Sequence, residues 1–139
     1  MIKRLIPYLA AILSMLALTG CSGGYDASEC ERLTDKIVNE GTLSQDDYSD
    51  MLTQYESILQ YLIDRTDKTN EITDDFERAK QQQALRQDEE FMRRFSYMFT
   101  FGSALYMAEV GGELDDSNLE RYNKVSEYAE QFAERSERF

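Results

Sequence analysis

Apolar residues recur at intervals of three and four along most of the chain, and no apolar–polar alternation lasts long enough to describe a strand. The pattern predicts an all-α fold. Cys30, Leu33, Ile37 and Val38 share one face of a first helix over about 28–40, opened by Ser28 with Glu31 in capping-box spacing and closed ahead of Gly41. The second helix, about 45–66, has the clearest stripe: Tyr48, Met51, Leu52, Tyr55, Ile58, Leu59, Leu62 and Ile63, opposite Gln54, Glu56, Gln60 and Asp64. Ser44 and Asp47 offer a capping box there, Leu43 and Tyr48 a hydrophobic staple.

The third element is uneven. Thr73 is placed to cap it, residues 77–90 form helix without an apolar stripe, and residues 95–108 carry no charge and are apolar nearly all round. Gly111-Gly112 ends it. An unbroken helix of that span would be ~55 Å long, more than a compact four-helix domain needs. The element is therefore expected to bend or break near Gln81-Gln82-Gln83, or to carry its polar half beyond the bundle. A last helix over 116–137 starts with Ser117 and Glu120 in capping-box spacing and turns Leu119, Tyr122, Val125, Ala129, Phe132 and Ala133 inward. The short connections favour antiparallel neighbours, so the expected assembly is a small antiparallel bundle of about four helices with one long or broken third helix.

The first residues follow another logic. Lys3 and Arg4 precede an apolar run from Leu5 to Leu18, which is followed by Thr19-Gly20-Cys21. A cationic start, a short apolar core and small residues describe a secretory signal, and the run is ~21 Å as a helix, short of a ~30 Å hydrocarbon core. Leu18-Thr19-Gly20-Cys21 resembles the lipobox of bacterial lipoproteins. That resemblance implies cleavage before Cys21, attachment of lipid to it, and residence in the cell envelope. Ser22, rather than an Asp, follows the cysteine, which in lipoproteins of enteric type favours the outer membrane, here facing the periplasm. The domain plan is then a cleaved signal peptide over 1–20, a flexible tether over 21–27 and one helical domain over 28–139.

Composition narrows the chemistry. The chain has 15 Lys and Arg against 27 Asp and Glu, and neither His nor Trp. Cleavage would remove Lys3 and Arg4 and bring the net charge from −12 to −14. Nucleic acid is an unsuitable partner for such a surface, and anionic lipid headgroups repel it, so attachment to a membrane would depend on Cys21. With Cys21 modified, Cys30 has no partner for an internal disulfide and is expected to be a small core residue. Ser or Cys nucleophiles lack an imidazole base. The acidic groups Asp46/Asp47/Asp50, Asp88/Glu89/Glu90 and Glu113/Asp115/Asp116 match no calcium loop, and two of them sit at helix starts, where the dipole explains them. No cofactor, no metal and no enzymatic activity are expected.

What stands out is the crowding of Phe91, Phe95, Phe99, Phe101 and Tyr106 with Met92, Met98 and Met107. Such a set is hard to cover with the other helices, one of them short, so part of it is expected to face a protein partner. The leading expectation is a lipid-anchored, non-enzymatic binding or scaffolding module. An acidic immunity or inhibitor protein that neutralises a basic toxin or enzyme is the alternative, and an envelope hydrolase is the third.

Overall fold

A computed structural model describes residues 24–138, so the proposed leader, Cys21 and Phe139 lie outside the described residues. Five helices follow one another: α1 (Ala27–Asp35), α2 (Gln45–Asn70), α3 (Asp75–Gln87), α4 (Glu89–Val110) and α5 (Asp116–Ser136). Among the described residues there is no strand, and the fold is an all-α bundle. No helix among them is long and apolar enough to cross a membrane.

Aspartate governs where the helices start. Asp26 caps α1 by accepting the amides of Ser28 at 2.9 Å and Glu29 at 3.3 Å, so the cap is not Ser28. Asp74 replaces Thr73 at α3 and Asp115 replaces Ser117 at α5, accepting Glu77 N and Asn118 N, each at 2.8 Å. In each case the charged acceptor beside the expected hydroxyl wins, because it satisfies an orphan amide and also favours the positive end of the dipole. The capping box at α2 forms as expected: Ser44 Oγ accepts Asp47 N at 3.1 Å, and Asp47 Oδ2 accepts Ser44 N at 3.0 Å.

Three boundaries differ from the sequence reading. The last turn of α1 widens into a π-helical turn, Lys36–Glu40, which closes on Gly41 at φ 65°, a conformation glycine adopts without strain. α2 runs on to Asn70, because Thr66 and Thr69 face inward and are buried. The long third element breaks at Asp88, not at the glutamines. Glutamine is a good helix former, whereas the Asp88 carboxylate, on an extended backbone at φ −72° and ψ 117°, accepts Phe91 N at 2.8 Å and starts a new helix. Polar α3 then lies across one end of the bundle, burying only Leu85 and donating from Gln82 to Asn70 Oδ1 and to the Arg138 carbonyl.

Polar partners fix the directions of the other helices around α2. Gly24 and Asp26 meet Gln54 while Arg32 and Lys36 meet Asp47, so α1 runs antiparallel to α2. Tyr48 donates to Glu113 at 2.8 Å and Arg65 pairs with Asp88 at 3.7 Å, so α4 is antiparallel too. Helix α5 runs parallel to α2: Asn118 donates to the Gln45 carbonyl at 3.0 Å, Arg121 to Ser49 Oγ at 2.7 Å, and Arg135 to Asp67 at 2.6 Å. Leaving α3 aside, the directions therefore alternate along the chain, as the expected antiparallel bundle requires, with α5 packed along α2.

The core lies around α2, with Met51, Leu52, Ile58, Leu59 and Leu62 fully buried, joined by Leu33 of α1 and Phe101 and Leu105 of α4. Cys30 is a buried core residue. The N-terminal entry is fastened by Arg94, whose guanidinium lies 4.0 Å from the Tyr25 ring centroid and 3.9 Å from that of Tyr61. The tether expected over 21–27 is already held at Gly24, whose carbonyl accepts from Gln54 at 3.4 Å.

Candidate functional site

Because α4 and α5 both lie on α2 but hardly on each other, a seam stays open between them. Its α4 side is set by helical spacing. Met92, Phe95, Phe99, Gly102 and Tyr106 follow one another at alternating steps of three and four, which places them in one row. The α5 side is lower, formed by Ala129, Phe132 and Ala133. The floor is Tyr55 of α2; a Cβ placed on Gly102 would stand 3.0 Å from its hydroxyl, so glycine lets that hydroxyl reach the seam.

Phe132 borders two depressions in this seam. The larger, about 410 Å³, lies between Phe99, Gly102, Tyr106 and the α5 alanines. The smaller, about 240 Å³, lies between Arg86, Met92, Phe95 and Ser136. The aromatic rings interlock: Phe95 meets Phe132 edge-on at 6.1 Å and Phe99 edge-on at 5.0 Å. Burial raises the Tyr55 phenol to about 12, with nearby Tyr122 adding to the shift, so it is neutral at physiological pH and serves as a donor or acceptor, not a base.

Of the five aromatics expected at a partner surface, only part reaches one. Phe99 and Tyr106 are 59% and 56% exposed, and Phe95 is half-buried beside them. Phe101 is buried, which corrects its assignment to the surface; Phe91 is buried too, though it lines the smaller depression. Phe101 turns to the opposite side of α4 and stacks on Tyr97 at 5.8 Å, a consequence of the 200° between positions two apart on a helix. The sequence reading did not assign Tyr55, Gly102 or the α5 alanines to this surface; the alternating three-and-four spacing on α4 was the available signal.

No protein-family model, curated protein or solved structure matches the chain. Any functional reading therefore rests on the chain's own residues.

Each acidic group named from sequence has carboxylates taken up by caps, ion pairs or hydrogen bonds. Asp47 accepts Lys36 at 3.0 Å and Arg32 at 3.2 Å besides its capping bonds. The Ser44 amide first, and then Lys36 and Arg32, hold its carboxyl well below the usual carboxylate range despite burial. Asp88 and Asp115 are caps, and Glu113 accepts Tyr48. Among the described residues no group of three His, Cys, Asp or Glu side chains could hold a metal ion. Burial lifts the Cys30 thiol to about 12, so it is neutral and a poor nucleophile while folded.

Proposed function

We propose that this protein is a lipid-anchored, non-enzymatic module of the bacterial cell envelope that binds a protein partner through the seam between α4 and α5. The single observation that carries the binding part is the exposure of Phe99 and Tyr106 beside an open apolar depression. Large exposed apolar side chains grouped with a recess mark interaction surfaces on soluble domains. The lipid anchor rests on the resemblance of Leu18-Thr19-Gly20-Cys21 to a lipobox, and the outer-membrane address on Ser22.

Two measurements test the two halves. A photo-crosslinking amino acid at position 99 should yield a discrete adduct in intact envelopes, whereas one at exposed Gln60 should not; equal labelling from both positions defeats the binding reading. Mass spectrometry should find acyl groups on Cys21 and no residue before it, and an unmodified thiol there removes the anchor. A second reading, an acidic inhibitor or immunity lipoprotein, is favoured by the net charge. It predicts that partner capture depends on ionic strength more than on Phe99.

A further inference from the structure

We infer that the occupant of the seam is an amphipathic helix of a partner protein with basic residues beside its apolar stripe. This narrows the protein-binding reading above and depends on it. From Met92 to Tyr106 the apolar row of α4 is ~21 Å long, about four turns of helix. Its alternating three-and-four spacing is the one by which one helix seats another, and Gly102, Ala129 and Ala133 let an incoming backbone come close.

Charge selects among helices. The α4 wall is neutral, since residues 95–108 contain no charged side chain. The α5 wall is acidic: Glu130 and Glu137 stand three positions before and four after Ala133, one turn to either side of it. Both are exposed, and neither has an ion-pair partner among the described residues. At the far end Glu109 lies near enough to Tyr122 to push its phenol upward, after the larger effect of burial. The cations beside the α4 row are already engaged, Arg93 and Arg94 both with Glu90 at 3.1 and 2.8 Å, and Arg86, at the smaller depression, is not free either. An apolar floor beside unpaired carboxylates complements a helix with Lys or Arg flanking its stripe. A second copy of this chain would bring its own Glu130 and Glu137 to the same rim, like charge against like. The chain's own run Leu5–Leu18 has its cations only ahead of the stripe, at Lys3 and Arg4.

The probe is a synthetic helical peptide of about 18 residues, four to five turns, with Leu in heptad core positions, Lys beside them and one photo-crosslinking residue on the apolar face. A twin peptide carries Glu in place of each Lys. Each is photolysed with the full chain in non-ionic detergent, and adducts are mapped to residues by mass spectrometry. The Lys peptide should label α4 and α5 at the seam about tenfold better than its twin, and Glu130→Lys with Glu137→Lys should reduce its labelling about tenfold. Circular dichroism keeps these surface variants honest as folded proteins. Equal labelling by both peptides overturns the basic preference and leaves the seam as a docking surface. If neither peptide labels the seam while the position-99 crosslinker still captures an envelope protein, the helix inference falls and the binding reading stands. An adduct joining position 99 to a second copy of the chain overturns the inference in favour of self-association.

Discussion

Helices α2 and α4 are both rich in apolar side chains, yet they meet water differently. α2 is flanked by α1, α4 and α5, and its stripe is sealed. α4 is packed mainly on the side toward α2 and α1, so Phe101 and Leu105 are buried while Phe99, Tyr106, Met107 and Val110 stay exposed. Burial here follows the number of packed neighbours, not apolar content. The unburied half of α4 lies outside the core, and in the function proposed above it is the part offered to a partner.

The comparison is most sharply broken or upheld by two phenylalanines two residues apart. Phe101→Ala, in the sealed half, should cost about 3–5 kcal/mol in urea unfolding, and Phe99→Ala, in the open half, less than about 0.5 kcal/mol. Similar losses for both would mean that the seam closes in solution.

The sealed side is also locked by polar groups, and Asp47→Asn tests that lock. It should cost about 1–3 kcal/mol, since a buried carboxylate loses its charge while Arg32 and Lys36 lose their partner. The pH dependence has a defined sign. A carboxyl whose folded-state titration lies below its unfolded value of about 4 stabilises the fold above that pH and loses the contribution as pH falls. Wild-type stability should therefore decline on acidification below about pH 4 more steeply than that of Asp47→Asn; parallel curves would rule this linkage out.

Asp88→Ala removes the cap that starts α4 and should cost about 1 kcal/mol, read as a lower midpoint of thermal unfolding. The smallest effect belongs to Gly102→Ala. A gain of about 1 kcal/mol in helix propensity is offset by moving the Tyr55 hydroxyl from 3.0 Å away, so the midpoint should barely shift. A large loss would show that Tyr55 is rigidly held and that the floor of the seam does not yield.

The fold was largely legible where a helix is half-buried. The stripe of α2 named its inner face because most of its other face is polar, and all eight of its residues entered the core or its margin; Gln54, read on the opposite face, is buried where it holds Gly24 and Asp26. In α4 an apolar circumference carries no direction, so sequence pattern could not separate Phe99 from Phe101. The close packing of α5 along α2 was hidden for a related reason. Arg121 and Arg135 lie outside the apolar stripe of α5, yet each reaches across to α2 and fixes the register. Pairings between distant residues leave no local signature, and the open seam is a product of that docking. The caps of α1, α3 and α5 were missed by one or two residues, because several adjacent side chains could each accept an amide.

Gln54 grips the entering chain partway along α2, not at its tip, with both Gly24 and Asp26 in its grasp. Only Ser22 and Gly23 separate Gly24 from Cys21, a reach of ~10 Å at most over three Cα–Cα steps. A molecule moored by that cysteine would recline along its bilayer on the α1 flank instead of standing upright on a stalk. The opposite flank, where α4 and α5 part, would then look out into the aqueous space, ready for whatever arrives from there.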